Sequence, residues 1–142
     1  MSLTDNCVFC KIVRGEIPSI KIYEDDLVLA FLDIAPINKG HILVIPKEHH
    51  NSITTVPEKY LSRMMNISPK IAQATVRILD GDGFNLHLAN GACAGQIVPH
   101  AHMHIIPRFP TDGFSWNWRN IEYSSDDEKQ KIADKIIKKM NK

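Results

Sequence analysis

The chain has 142 residues, of which 17 are Lys or Arg and 16 are Asp or Glu, for a formal net charge of +1. A chain of this length fits one domain and can bury roughly two thirds of its unfolded surface without a disulfide or metal staple. The balanced charge excludes the field that gathers nucleic acid or a membrane surface, so any anionic ligand must be held locally.

Met1 to Asn6 lack the basic and then apolar pattern of a leader, and no apolar run approaches a bilayer span, which predicts a cytosolic protein. Val8, Phe9, Ile12 and Val13 have helical spacing and stop at Gly15, so residues 7 to 13 read as a short helix with Gly15 at its C-terminal cap. Cys7 and Cys10 lie one turn apart on it. This Cys-x-x-Cys pair and the lone Cys93 do not make a disulfide framework. The pair reads as a redox dithiol, as half of a metal site, or as two small buried residues on a helix.

The apolar runs Ile20 to Glu24 and Leu27 to Asp33 flank Asp25-Asp26 as an antiparallel hairpin. A loop with Pro36, Asn38 and Gly40 leads to a third strand over His41 to Pro46, with His41 at its mouth. Thr55-x-x-Glu58, with Pro57 between, reads as a capping box opening a long helix whose apolar stripe of Leu61, Met64, Met65, Ile71, Ala72 and Val76 runs towards residue 79. Pro69 is expected to kink or split that helix near residues 65 to 68, because it lacks an N–H and crowds the carbonyl four residues back. Gly81-Asp82-Gly83 turns into a strand over Phe84 to Ala89. A Gly-rich loop, Asn90 to Gln96, follows.

Pro99 to Arg108 places His100, His102 and His104 at alternate positions of an extended strand, so the three imidazoles share one face and Ala101, Met103 and Ile105 the other. Successive members are about 6.6 Å apart along such a strand, too spread to share one small ion. Imidazole can be nucleophile, acid or base near neutral pH, each role being set by what its second nitrogen bonds. The preceding loop can present backbone N–H groups to an anion. Together they suggest attack of an imidazole on phosphorus held by backbone amides, followed by hydrolysis. Trp116 and Trp118 then lie in a polar loop, where large aromatics cover a neighbouring surface or a ligand. The tail from Ser125 to residue 141 reads as a helix: capping box Ser125-x-x-Glu128, acidic first turn, Lys-rich last turn, and apolar Ile132, Ala133, Ile136, Ile137 and Met140.

His100-Ala101-His102-Met103-His104-Ile105-Ile106 resembles the signature of the histidine triad family. Support comes in order from Cys7-Val8-Phe9-Cys10-Lys11-Ile12, Gly15-Glu16-Ile17-Pro18, Tyr23-Glu24-Asp25-Asp26, Ala30-Phe31-Leu32-Asp33-Ile34, Gly40 to Lys47, and Gly95-Gln96. The resemblance runs from about Cys7 to Arg108. It implies an α+β fold with a five-stranded antiparallel sheet, a long central helix, short N-terminal and C-terminal helices, and a homodimer. The chain would be one domain, 1 to 142, with a core over 7 to 110 and an extension over 111 to 142.

Carried over by position, His102 would be the nucleophile that becomes nucleotidylated on the α-phosphate, flanked by His100 and His104 and supported by His41. Val8, Phe9, Ile12, Phe31 and Ile34 would form the purine slot, and Asp33 would accept from the ribose hydroxyls. Asn90, Gln96 and the N–H groups after Gly95, at Ile97 and Val98, would hold the phosphate. Zinc would be held by Cys7, Cys10, His49 and His100 as a structural ion; His50 could replace His49, but adjacent strand residues face opposite ways. No organic cofactor is implied. Ile97 stands where a Ser or Thr is frequent, and Pro99 where an aromatic is common; His87 and Cys93 read as structural. The implied activity is hydrolysis of purine nucleoside monophosphate derivatives such as phosphoramidates. A dinucleoside polyphosphate hydrolase and a nucleotide-binding signalling module are the alternatives.

Overall fold

The computed structural model describes residues 2–115 and 117–142, so Trp116 lies outside the described residues. The first helix, α1 (Val8–Val13), is capped by Cys7, whose Sγ accepts the N–H of Cys10 at 3.4 Å. It ends where Gly15, at φ +77°, lets its own N–H reach the Ile12 carbonyl and that of Glu16 reach Lys11. This paired arrangement satisfies the last helical carbonyls and needs a left-handed residue.

Strands β1 (Lys21–Glu24) and β2 (Val28–Leu32) form the expected hairpin. Asp25 holds its turn by accepting the N–H groups of Leu27 and Val28, and is bridged by Arg63 to the long helix. β3 (Ile42–Pro46), β4 (Gly83–Leu88) and β5 (Met103–Arg108) complete one antiparallel sheet in the order β1-β2-β3-β5-β4. β5 therefore enters between two strands made earlier.

The sheet is covered on both faces, which explains why β2 and β3 read as continuous apolar runs. Val28, Ala30, Ile42, Val44, Met103 and Ile105 face the long helix α2 (Glu58–Ile78) and pack on Met64, Ile67, Ile71 and Ala72. On the other side Leu29, Phe31, Leu43 and Ile45 pack with Cys7, Phe9, Cys10 and Ile12 of the α1 region. The two-residue period of each strand thus sorts one set towards α2 and the other towards α1.

Two expectations about α2 are corrected, the Thr55 cap in full and the Pro69 break in its splitting form only. Thr55 does not cap it: Thr55 closes a 3₁₀ turn, Ile53–Thr55, its hydroxyl donating to the Ser52 carbonyl, and α2 begins at Glu58 with the Pro57 carbonyl accepting the N–H of Leu61. Pro69 does not split it, because the helix runs unbroken from Glu58 to Ile78. The carbonyl that loses its donor belongs to Met65, on the exposed side, while buried Ser68 donates its hydroxyl to the Met64 carbonyl at 2.6 Å.

Helix α3 (Asp126–Met140) is capped by Ser125, which accepts from the Glu128 N–H at 3.1 Å, while Glu128 reaches back to the N–H of Ser124. None of its residues is buried. Trp118 is largely exposed. No helix among the described residues is long and apolar enough to cross a membrane.

The face assignment of α2 is checked by its adjacent methionines. Met64 is fully buried and Met65 is 48% exposed. Met64→Ala is expected to lower the unfolding free energy by about 2–5 kcal/mol in urea denaturation, and Met65→Ala by under about 0.5 kcal/mol.

Candidate active site

The ladder of β5 starts at Met103, so His104 lies within it, His102 just before it, and His100 at the end of a bend over residues 98 to 100, where its N–H reaches the Val98 carbonyl at 2.9 Å. Ala101 anchors that segment by donating its N–H to the His50 carbonyl at 2.6 Å. The alternation holds: Ala101, Met103 and Ile105 are buried on one side, and the histidine rings gather on the other. The His102 and His104 ring centres are 4.9 Å apart, and Phe9 stands edge-on to His102 at 5.1 Å.

A neutral imidazole has one N–H and one lone pair, so each backbone partner decides what its other nitrogen offers. His102 donates Nδ1–H to the His100 carbonyl at 2.7 Å, leaving a lone pair on Nε2. His41 accepts the Ile37 N–H on Nδ1 at 3.0 Å, so its Nε2 carries the proton and donates to His104 Nδ1 at 2.8 Å. His104 is thereby left with its proton on Nε2. The row holds a base at His102 and a proton donor at His104, set by groups outside it. Gly40 delivers His41 to this position: its φ is +88°, and a Cβ there would stand 2.5 Å from Leu79 Cδ1.

Burial keeps these rings neutral. It pushes His102 and His41 below the ordinary imidazole range, and His100 and His104 down to about 4, with His102, His41 and His87 adding to the cost of charging His104.

His100 turns away from the row. Its Nε2–H donates to the Pro46 carbonyl at 3.0 Å, and its Nδ1 lone pair faces Cys7 Sγ at 3.4 Å and Cys10 Sγ at 3.6 Å. His49 repeats the pattern, donating Nε2–H to Asn51 Oδ1 at 3.0 Å and turning Nδ1 to Cys10 Sγ at 3.3 Å. These separations match the edge of about 3.6 Å of a tetrahedron with ordinary zinc–sulfur and zinc–nitrogen distances. The four side chains could hold a metal ion, with both imidazoles already oriented by outer partners. His50 could not replace His49: its nitrogens meet Glu48 and Thr55.

Asp33, His41 and His104 also converge, Asp33 Oδ2 lying 3.5 Å from His41 Nε2. That trio is not built as a metal site, since the Ile37 N–H occupies the Nδ1 lone pair of His41 and leaves a proton on the nitrogen facing the cluster.

The residues assigned by resemblance to nucleotide binding are placed unequally. Phe9, Ile12 and Phe31 lie together in the buried cluster under α1, whereas Val8 is 40% and Ile34 99% exposed. Asp33 also closes a turn, accepting the Ala35 N–H. Asn90 directs its amide oxygen to the N–H of Ile53. Gln96 is spent on its own loop, accepting from Gly91 N–H at 2.8 Å and donating to the carbonyls of Asn51 and Val98. Both amides therefore shape the loop. A cavity of about 300 Å³ lies between Ile97, Val98, Pro99 and the Thr4 to Val8 segment. A larger cleft of about 470 Å³ is remote from the histidines, between α2 and β4.

Pro46, Ile37 and Asn51, which set the tautomers, were not legible from sequence because two act through backbone groups; Asn51 had a faint signal, an amide two residues after His49.

A family model described as the HIT domain matches residues 14–111. The chain belongs to the HIT family. This HIT chain is 38% identical to an adenosine 5′-monophosphoramidase of Schizosaccharomyces pombe, over 92% of its own length and 98% of that protein. It is 46% identical to an adenylylsulfatase of Arabidopsis thaliana, over 78% of its length and 56% of that longer protein. The crystal structure of a HIT family protein from Bacillus anthracis superposes with a TM-score of 0.88 at 44% identity, covering 95% of this chain and 97% of that one. A histidine triad protein from Mycobacterium smegmatis, described as zinc-bound, superposes with a TM-score of 0.74 at 41% identity, covering 82% and 84%.

His104, lowered to about 4, binds fewer protons in the native HIT fold than in the unfolded chain between about pH 6.5 and about pH 4. Its contribution to stability is full above that window and lost as pH falls through it. NMR titration should give the His104 ring a midpoint near 4, and urea denaturation a falling unfolding free energy over the window. A midpoint near the ordinary value contradicts the assignment.

Proposed function

We propose that this HIT protein is a cytoplasmic hydrolase of purine nucleoside monophosphate derivatives, phosphoramidates first among them, working through a nucleotidyl-histidine intermediate. The observation that carries the reading is the tautomer chain: Ile37 N–H to His41, His41 to His104, and His102 to the His100 carbonyl.

Phe9, Ile12 and Phe31, with Val8 and Ile34 at the rim, take the base, and Asp33 takes the ribose hydroxyls. The Gly-rich loop, braced by Gln96 and Asn90, offers the N–H groups of Ile97 and Val98 to the phosphate oxygens. His102 Nε2 attacks the α-phosphorus as the bond to the leaving group breaks. His104 Nε2–H donates a hydrogen bond that steadies the leaving nitrogen, and a departing amine takes its proton from solvent. The positive charge that develops on the His102 ring is met by the His100 carbonyl on Nδ1–H. Water then attacks phosphorus, the P–N bond to His102 breaks with its electron pair returning to Nε2, water's proton goes to solvent, and the nucleoside monophosphate and neutral His102 are released.

Phosphoramidates are favoured over dinucleoside polyphosphates because Arg108, the one cation beside the triad sequence, is committed to Asp112 at 2.9 Å and to the face of Phe114.

Zinc bound by Cys7, Cys10, His49 and His100 would be fully ligated and structural, fixing His100 and so the carbonyl that orients His102. The exposed edge of β4, beside the cleft lined by Pro69, Lys70 and Phe84, supports a homodimer.

His102→Asn is expected to lower turnover of an adenosine phosphoramidate at least about a thousandfold while retaining binding of adenosine monophosphate in calorimetry. Retained turnover sinks the mechanism. Metal analysis of the purified protein should find close to one zinc per chain, and Cys10→Ser should lose it and lower the Tm.

A further inference from the structure

His87 lies outside the triad sequence and has no part in the mechanism above. It stands on β4 directly opposite His104 on β5, and directly opposed residues of an antiparallel pair share a face. Their ring centres are 5.6 Å apart. Its neighbours Leu86 and Leu88 pack towards α2, so His87 alone of the three joins the histidine face. It is exposed, and its ring is hydrogen-bonded to no described residue. It is near enough to both other rings to add to the electrostatic cost of charging His102 and His104.

The strand order gives this position a meaning. Phe31, at the base slot, is on β2; His41 precedes β3; the triad belongs to β5; His87 is on β4. From β2 to β4 is three strand spacings, about 14 Å, the scale of a nucleotide laid across the sheet from base to leaving group. With the base at one end and the α-phosphorus at His102, the group leaving opposite the nucleophile passes His104 and reaches His87.

Resting on the hydrolase reading above, we propose that His87 is a specificity-determining contact for the leaving group, one that selects oxyanions such as sulfate or phosphate over amines. The two classes make different demands. An amine must receive a proton as the P–N bond breaks. When the leaving group is sulfate, the bond from His102 Nε2 to phosphorus forms as the P–O bond breaks, and the electron pair leaves on the bridging oxygen. Sulfate is too weak a base to need a proton. What it needs is a hydrogen-bond donor for its spread negative charge, and an imidazole keeps an N–H whether neutral or protonated. His87 is the exposed donor at that end of the row.

The test measures kcat/KM of wild type, His87→Ala and His87→Gln for adenosine 5′-phosphosulfate and for an adenosine phosphoramidate with an uncharged amine. His87→Ala is expected to lower the ratio of phosphosulfate to phosphoramidate turnover about tenfold, and His87→Gln, which keeps a side-chain N–H, to restore most of it. An unchanged ratio in His87→Ala overturns the proposal while leaving the hydrolase reading intact. Failure of the wild type to turn over either substrate overturns the hydrolase reading and, with it, this one.

Discussion

A neutral imidazole has a single proton for two nitrogens, and the chemistry of this chain depends on who decides where that proton sits. For His102 and His100 it is a carbonyl, for His41 a backbone N–H, and for His49 a side-chain amide. Only His104 takes its tautomer from another histidine. Because burial lowers the proton affinity of His41, His100, His102 and His104, their assignments are not averaged away by protonation near pH 7. A row of three similar residues thereby becomes a base, a proton donor and a cluster-facing ligand.

His100 joins two of these roles. Its ring belongs to the Cys7, Cys10, His49 cluster, while its carbonyl holds the Nδ1–H of His102. The metal-binding type of cluster therefore sits one hydrogen bond away from the reactive nitrogen without contributing Lewis acidity to it. An ion there would fix the last residues before β5 from the α1 side, where no strand ladder yet holds them. One residue, Ala101, separates the cluster-facing His100 from His102.

The strand alternation was legible from His102 onward because its period of two survives one residue before the hydrogen-bond ladder begins; the bend at residues 98 to 100 that turns His100 to the cysteines was not. The hairpin at Asp25, the Gly15 cap and the Ser125 cap were legible for a similar reason, since each depends on residues close in sequence. What was not legible depends on groups brought from afar or on competition between local partners. Thr55 has the identity of a helix cap, but the Ser52 carbonyl claims its hydroxyl first. Pro69 carries a breaker's signal, yet the cost falls on the exposed side of a helix whose other side is buried against the sheet. Asn90 and Gln96 have phosphate-binding chemistry, but both are turned to bracing their loop. His87 looked structural because its partner lies 17 positions away in the chain and meets it only when β5 pairs with β4.

Asn51 shows how the separate parts are made to move together. Its side-chain oxygen holds the Nε2–H of His49, and its backbone oxygen accepts the Gln96 amide, which also holds the Gly91 N–H and the Val98 carbonyl. The loop that presents Ile97 and Val98 is thus tied through one residue to the four-residue cluster, and the cluster is tied through His100 to His102. A rearrangement of the loop that broke the Gln96 bonds would release the carbonyls of Asn51 and Val98 together. The backbone of Ile97 and Val98 and the ring of His102 are consequently joined by one connected network of hydrogen bonds.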